Sequence, residues 1–268
     1  EKNQSRRNFI KQSATAAAAI SIPSIIPAHA FGANDRINAA VLGVNGRGKS
    51  HISSFMVQDN VELTHLCDPD MNVLKERKKD FKDKYGKDIA LEQDLRKIYD
   101  NKDIDVVSIA TPNHWHALAV IWACQAGKDV YVEKPGSHNI YEGRKMVEAA
   151  QKYDRIVQHG VQLRSSPAVR EAVQMMHDGY IGRVYMARGL VFRWRGDIGN
   201  KGFEPVPDGL DYDLWTGPAS KRPFTRNLVH YNWHWTFEYG NGDVGNQGIH
   251  ETDLCMWGLG VGLPTKIT

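Results

Sequence analysis

Residues 37–48 read INAAVLGVNGRG, an apolar segment followed by a turn with three glycines. The segment Ile37 to Leu42 is apolar apart from Asn38, which is typical of a buried strand. A helical pattern follows Gly48, so that strand, glycine turn and helix come in the order of a dinucleotide-binding unit. Because a lone glycine turn is a weak signal, the segments that follow decide whether the interpretation holds.

The residues of this turn are suited to a pyrophosphate. Gly43 permits the tight turn, and Gly46 and Gly48 let backbone amides approach an anion at the start of the helix. Asn45 stands where the usual pattern has glycine, but asparagine tolerates left-handed backbone well. The predicted cofactor contacts in the turn are Gly43, Asn45, Gly46, Arg47 and Gly48.

The next apolar segment, Val61 to Cys67, ends at Asp68. An acid in that place can bind the ribose hydroxyls of NAD and would repel the 2′-phosphate of NADP. Asp68 is therefore a predicted cofactor contact, with NAD favoured over NADP. The alternative is a cap for the helix that begins near Asp70.

A third strand, Asp105 to Ala110, leads into Thr111-Pro112-Asn113-His114-Trp115-His116. A helix is expected from about Ala117 to Gln125. The loop between them would overhang the nicotinamide end of a bound dinucleotide, so Thr111, Asn113 and His116 are predicted cofactor contacts. The histidines of this loop are also compatible with structural or exposed roles.

Glu133-Lys134-Pro135 follows the short strand Asp129 to Val132. A lysine at the carboxyl edge of a parallel sheet points toward the crevice where ligands bind. Such an amine can hold a substrate hydroxyl, or exchange a proton with it once burial lowers its pKa. Glu133 and Lys134 are predicted to lie at the cofactor; the alternative for Lys134 is a solvated surface lysine before a turn.

Taken together, these motifs resemble the glucose–fructose oxidoreductase/inositol dehydrogenase (Gfo/Idh/MocA) family. The glycine-rich segment Gly240 to His250 and Asp253 add to the resemblance. It implies an α/β fold: a doubly wound parallel Rossmann sheet, followed by an α+β domain with a mostly antiparallel sheet. The expected domains are residues 31–157 for NAD(P) and 158–268 for substrate, the latter incomplete. A sugar or cyclitol would lie between them against the nicotinamide.

The resemblance also implies catalytic residues. Lys134 matches the family's lysine and His250 its histidine, while Asn246 stands at the position of an aspartate. An amide can hold a hydroxyl or orient His250, but it cannot accept a proton. Proton transfer would then pass through His250 and Lys134, or Asp243 would replace the missing acid.

Substrate contacts are expected in the second half of the chain. Gln162 and Arg164 follow the sixth strand, and Arg164 could pair with an acidic substrate or with a protein carboxylate. Aromatic residues alternate with polar ones from Tyr231 to Tyr239, which predicts an extended segment with five rings on one side. The rings could stack on sugars or simply pack a strand or an interface. Trp233 and His234 are the predicted substrate contacts here.

Composition excludes several partners. The net charge of +3 from 34 basic and 31 acidic residues is located in the first thirty residues, and the remainder is balanced. A nucleic-acid or anionic-membrane partner would require a net basic surface. Three scattered cysteines and the absence of a metal motif predict no metal.

The first thirty residues resemble a twin-arginine export signal. Ser5-Arg6-Arg7-Asn8-Phe9-Ile10-Lys11 precedes a mildly apolar stretch and the small-residue site Ala28-His29-Ala30. Pro23 and Pro27 interrupt the stretch below the ~20 apolar residues that span a bilayer. Residues 1–30 are thus a predicted signal peptide, with a periplasmic or exported product and no membrane association after its removal. An amphipathic or membrane-spanning helix is the alternative.

These observations favour an exported oxidoreductase that transfers hydride between a sugar or polyol and a tightly bound nicotinamide cofactor, NAD rather than NADP. Two alternatives stay open: an NAD-dependent glycosidase that acts by transient oxidation, and a non-catalytic sugar-binding protein of the same fold. The resemblance also leaves a homo-oligomer open. Both ends of the sequence suggest a fragment.

Overall fold

The computed structural model describes residues 36–267, so the predicted signal peptide lies outside the described residues. Six strands form one sheet in which every pairing is parallel. In chain order they are β1 Ile37–Leu42, β2 Val61–Cys67, β3 Ala90–Glu92, β4 Val106–Ile109, β5 Asp129–Glu133 and β6 Val157–Gly160. Their order across the sheet, β3-β2-β1-β4-β5-β6, is that of a doubly wound dinucleotide fold, which confirms the predicted Rossmann domain.

Helices connect the strands and continue beyond them. They are α1 Gly48–Phe55, α2 Met71–Tyr85, α3 Leu95–Asp100, α4 Asn113–Gln125, α5 Ile140–Lys152, α6 Pro167–His177, α7 Tyr212–Thr216 and α8 Ile249–Leu259. Among the described residues, no helix is both long and apolar enough to cross a bilayer.

The sheet separates two apolar cores. One contains Leu42, Ile109 and Val132 together with the buried face of α4, and the other contains Val41, Leu66 and the buried face of α2. Burial of the sheet on both faces explains why its central strands β1 and β4 read as nearly continuous apolar segments rather than alternating ones. The same burial leaves the carboxyl ends of the strands as the place where polar side chains can gather.

Helix α4 begins at Asn113, four residues before the expected start near Ala117. Pro112 precedes it in extended backbone, and the amide of Trp115 donates to the Pro112 carbonyl at 3.0 Å. Proline is well tolerated at a helix start because its missing N–H would have no partner there. His114 and His116 therefore lie on a helix, not in a loop.

The second half of the chain differs from the expected antiparallel sheet. Residues 183–207 form neither helix nor strand, and the sheet pairing found after β6 in the described residues is a single antiparallel bridge between Leu210 and Asp70. The regular elements after β6 are helical: a 3-10 turn at Gln162–Ser165, α6, α7, a 3-10 turn at Asn232–Trp235, a π-helical turn at Val244–Gly248, and α8.

The expected row of five aromatic rings on one side of residues 231–239 is wrong. The amide of Thr236 donates to Trp233 O at 3.1 Å and that of Tyr239 to Thr236 O at 2.9 Å, so successive tight turns replace an extended strand. Trp233 and Tyr239 are consequently buried, whereas Phe237 is exposed. An alternating pattern produces a single-sided row only in extended backbone.

The glycine turn leads to a testable difference between two of its residues. A Cβ on Gly48 would lie 2.0 Å from the Gly43 carbonyl oxygen, whereas a Cβ on Gly46 would meet nothing within 4 Å. We therefore expect Gly48→Ala to lower the free energy of unfolding by about 2–3 kcal/mol through overpacking. Gly46→Ala, the matched control, should change it by less than about 0.5 kcal/mol. Urea denaturation of the ligand-free protein measures both; equal effects would contradict the packing described here.

Candidate functional site

The carboxyl ends of the strands open into a cavity of about 640 Å³. Its wall combines the glycine turn, the ends of β2, β4 and β5, and residues from the 3-10 turn, the π turn and α8. Lys134 and His250, 116 positions apart in the chain, both line it. The structure thus brings these two predicted catalytic residues to one cavity, and the predicted catalytic assignments stay predictions.

The glycine turn is held tightly at both ends. Gly43 has φ +82°, and a Cβ there would lie 2.6 Å from the Ala110 carbonyl oxygen, so this position requires glycine. Gly43, Asn45, Gly46 and Arg47 line the cavity, while Gly48 packs beneath against Gly43. The start of α1 therefore faces the cavity, where the free N–H groups of a helix terminus favour an anion.

Asp68 is buried at the end of β2 and lines the cavity. Its carboxylate accepts the amide of Val44 at 2.9 Å and that of Asp70 at 3.1 Å. Burial raises the pKa of this carboxyl, although the two amide bonds oppose the rise. The cap of α2 is Asp70, which accepts from the Asn72 amide at 2.8 Å. Each carboxylate oxygen of Asp68 keeps a further lone pair, so the predicted ribose contact is compatible with this geometry.

Glu133 is the centre of a charged network under the glycine turn. One of its oxygens lies 2.7 Å from Arg47 Nε and 3.0 Å from His51 Nε2, and Ser108 Oγ lies 2.7 Å from His51 Nδ1. Burial would raise the pKa of Glu133, but the bonds from His51 and Arg47 outweigh it and hold the pKa at about 2. Glu133 is thus an anion that fixes Arg47 at the cavity wall.

Lys134 contacts Asn246 through two different atoms. Its Nζ donates to the backbone carbonyl of Asn246 at 2.6 Å and to the side-chain Oδ1 at 3.1 Å. Burial lowers the pKa of Lys134; Arg47 lowers it too, and Glu133 opposes both. No carboxylate accepts from this amine among the described residues, which favours its uncharged form more than an aspartate at position 246 would.

His250 is buried on the first turn of α8. Its Nδ1 has no hydrogen-bond partner among the described residues. Burial lowers the pKa of the imidazole, and the charge of Lys134 lowers it further. Both effects favour the neutral ring, and its Nδ1 is buried without a hydrogen-bond partner among the described residues.

Asp243, the alternative acid, is already paired. Arg195 Nη2 donates to it at 2.7 Å and Arg195 Nε at 3.0 Å, and this bidentate contact lowers the pKa of the carboxyl. Asp243 does not line the cavity. The geometry favours His250 and Lys134 over Asp243 as the groups that exchange a proton with a ligand.

The predicted contacts after β4 have three different environments. Thr111 lines the cavity, and its buried Oγ1 has no partner among the described residues. Asn113 is buried away from the cavity, and its Oδ1 accepts the Asn241 amide at 3.4 Å. His116 is 1% exposed with both ring nitrogens close to backbone carbonyls, which leaves neither nitrogen for a ligand.

Three of the four predicted substrate contacts, Gln162, Trp233 and His234, line the cavity. Arg164 does not. Its guanidinium donates to both oxygens of Asp253 at 2.8–3.0 Å and lies 5.0 Å above the Trp257 ring. Of the two partners considered from the sequence, the structure shows the protein carboxylate.

Several cavity residues have no separate motif in the sequence. His230 lies on the wall and its Nε2 is 3.0 Å from Asp70 Oδ2, while Trp115 Nε1 donates to the carbonyl of Leu214 at 3.0 Å. Trp215 and Tyr231 complete this side. Aromatic enrichment was the one available signal for them, and it does not distinguish a cavity wall from a core.

Comparison with known proteins identifies the family that the two parts of the chain resemble. The chain matches the Gfo/Idh/MocA description "Oxidoreductase family, NAD-binding Rossmann fold" over residues 37–161 and "Oxidoreductase family, C-terminal alpha/beta domain" over residues 175–263. It is 26% identical over 209 residues to a glycosyl hydrolase family 109 protein of Saccharopolyspora erythraea, covering 69% of this chain and 45% of that one.

Two further proteins are similar. Levoglucosan dehydrogenase of Pseudarthrobacter phenanthrenivorans is 30% identical over 165 residues, 60% of this chain and 42% of that protein. The crystal structure of myo-inositol 2-dehydrogenase from Lactobacillus plantarum is 25% identical with a TM-score of 0.51, covering 57% of this chain and 43% of that one. The chain spans less than half the length of each of these relatives. With both parts matched by family, it belongs to the Gfo/Idh/MocA oxidoreductases.

Proposed function

We propose that the protein is an NAD-dependent oxidoreductase that transfers hydride between a CH–OH group of a sugar or polyol and the nicotinamide. The observation that carries this proposal is the shared cavity. Lys134, Asn246 and His250 line the same cavity as the glycine turn at the start of α1. Such convergence puts proton-exchanging groups beside a dinucleotide site, as hydride transfer from an alcohol requires.

The residues present fit a dinucleotide. Gly46 has open space where a Cβ would be, so a pyrophosphate can approach the backbone there. The buried Thr111 hydroxyl lacks a partner among the described residues, and Asp68 faces the same cavity. An anionic ribose contact disfavours a 2′-phosphate, which supports NAD over NADP.

Bound NAD would supply the hydride acceptor. Lys134 would hold and polarise the reacting oxygen, since its amine is fixed by Asn246 at the cavity wall. His250 would take the hydroxyl proton, because its imidazole is neutral at pH 7 and its Nδ1 lacks a partner in the described structure. Asn246 would orient these groups without taking a proton.

The cavity wall supports a polyhydroxylated substrate. Gln162, His234 and Tyr231 provide groups that donate or accept hydrogen bonds, and Trp233 provides an apolar ring beside them. Relatives named for levoglucosan and myo-inositol support the same class. The proposal also includes a second domain that is completed by an antiparallel sheet and a possible homo-oligomer, with a sugar or polyol as the substrate class.

A second candidate is a glycosidase that uses NAD only transiently. In that reaction a ring hydroxyl would be oxidised, the aglycone would be eliminated, water would add to the resulting double bond, and the hydride would return to the sugar carbonyl. The amide at position 246 favours it, and so does the similarity to a glycosyl hydrolase family 109 protein. Both candidates use the same cavity and differ in whether the bound cofactor is reduced after turnover.

We also propose that residues 1–30 direct export by the twin-arginine route. The motif around Arg6-Arg7 supports this, because it has the residue pattern of a twin-arginine signal. That route carries folded proteins, so a bound cofactor would be exported with the protein. A cofactor exported in this way is retained and regenerated in place.

The first prediction concerns Lys134. Lys134→Met should lower kcat/KM for sugar oxidation by at least about 100-fold, because the reacting oxygen loses the amine that is positioned to hydrogen-bond it. NAD affinity should change by less than about threefold, since the lysine contacts Asn246 and not the glycine turn. Absorbance at 340 nm and a fluorescence titration with NAD measure these two quantities.

Lys145→Met is the matched control, because Lys145 is paired with Glu148 on α5, outside the cavity. It should behave as the wild type. Equal activity of the Lys134 variant and this control would contradict the proposal. Release of an aryl aglycone with no net 340 nm change would instead select the glycosidase.

The second prediction concerns pH. His250 must be neutral to accept a proton, and burial and Lys134 lower its pKa below 6.5. Activity in the oxidation direction should therefore persist at pH 7 and fall on acidification through a midpoint below 6.5. His250→Gln should lower kcat and abolish that acidic limb. A limb that is unchanged in the variant would exclude His250 as the proton acceptor.

The third prediction concerns export. Residues 1–35 fused to a folded reporter should direct it across a bacterial inner membrane, and replacing Arg6-Arg7 with two lysines should retain it in the cytoplasm. Cell fractionation measures the distribution. A reporter that is exported equally well with the lysine pair would contradict the twin-arginine proposal.

A further inference from the structure

His116 is a completely buried histidine on α4 whose ring lies between two turns. Its Nδ1 is 2.7 Å from the carbonyl oxygen of Pro135, and its Nε2 is 2.8 Å from that of Thr111. The ring is 1% exposed. His116 lines the cavity, but neither nitrogen is left to hydrogen-bond a substrate or cofactor, so a hydrogen-bonding role in the reaction must act through these carbonyls.

The two carbonyls belong to the turns that carry the site. Thr111 follows β4, and Pro135 is bonded directly to Lys134 after β5. The pairing between these strands ends at Ile109↔Val132, so the turns extend beyond the sheet ladder. The His116 ring bridges them where the ladder stops.

The chemistry of the ring suits this bridge. An imidazole carries one N–H when neutral and two when protonated, so His116 donates to at least one of the carbonyls and, when protonated, to both. Its planar shape fixes the separation of the two acceptors. An aliphatic residue in this place would remove the imidazole N–H from both carbonyls.

His114, two residues earlier, provides an internal comparison. It is also buried with both ring nitrogens near carbonyls, 3.0 Å from Trp215 O and 3.3 Å from Tyr239 O. Its partners lie in the second half of the chain, and His114 does not line the cavity. The same chemistry therefore anchors a different part of the protein.

We propose that His116 is a positioning residue. Its ring contacts the carbonyls of Pro135 and Thr111, holds the two turns together and thereby determines the position of the Lys134 amine. This inference rests on the proposed function, because Lys134 is taken as the group that holds the reacting oxygen. Lys134 Nζ reaches the Asn246 carbonyl oxygen at 2.6 Å from the same turn whose Pro135 carbonyl contacts His116 at 2.7 Å. A displacement of about 1 Å at such a group costs on the order of 100-fold in rate.

The experiment compares three variants of the full chain. His116→Gln can place an N–H near the Nε2 position but none near Pro135, whereas His116→Asn can place an N–H near the Nδ1 position and thus near Pro135. His114→Gln is the matched control. If one of the His116 variants does not fold, the other still tests the bridge.

Two readouts separate positioning from general damage. The first is the pH dependence of reductive methylation of Lys134 in the substrate-free protein, followed by peptide mass spectrometry. The second is the split between kcat and KM, together with NAD affinity. The methylation readout requires neither substrate nor turnover.

We expect His116→Gln to raise the methylation midpoint of Lys134 toward that of an exposed lysine and to lower kcat about 10- to 100-fold. NAD affinity should stay within about threefold, and His116→Asn should fall between this variant and the wild type. His114→Gln should leave the Lys134 midpoint unchanged.

A Lys134 midpoint that is unchanged in both His116 variants would overturn the proposal, as would an equal shift in His114→Gln. Failure of the proposed function gives a different result. The wild type would then show no NAD binding or turnover, while the methylation data still report whether His116 positions Lys134.

Discussion

The parallel pairing of β1, β4 and β5 is the constraint on which the rest of the structure depends. Leu42 pairs with Ile109, and Ile109 pairs with Val132, so these three strands, which are adjacent in the sheet, end at about the same level. Parallel strands with a shared end release their turns at the same edge. This register brings three residues that are far apart in the sequence to the wall of one cavity: Gly43, Thr111 and Lys134.

Electrostatics then distinguish Glu133 from its neighbour Lys134 in the cavity wall. Glu133 is held as an anion by Arg47 and His51, so this part of the wall contains a compensated charge network. The Lys134 amine, one residue later, donates to the backbone carbonyl and the side-chain oxygen of Asn246. Adjacent residues thus have opposite conditions: one is stabilised in its charged form, and burial favours the neutral form of the other.

The sequence predicts the parts of this protein that depend on local chemistry. The Rossmann sheet was predicted from apolar strands and a glycine turn. The position of Lys134 at the cavity was predicted from its place after a strand. The bridge made by His116 was not predictable, because its partners are backbone carbonyls that come together only in the folded chain. The aromatic alternation failed for a related reason: consecutive turns stabilised by Trp233 and Thr236 carbonyls replace the extended backbone that the pattern assumes. Arg164 shows the same limit, since a guanidinium does not reveal which carboxylate it will bind.

Lys134 is bound to residue 246 by two hydrogen bonds, of which one depends on the side chain at that position and the other does not. The shorter of its two bonds is to the main-chain oxygen, at 2.6 Å, and every amino acid provides that oxygen. The longer bond, at 3.1 Å, is to the side chain. Exchange of amide for acid at position 246 would therefore alter the ionisation of the neighbouring amine while its tether to the π turn persists. A substitution at position 246 can therefore change the protonation of Lys134 while the backbone around it stays the same.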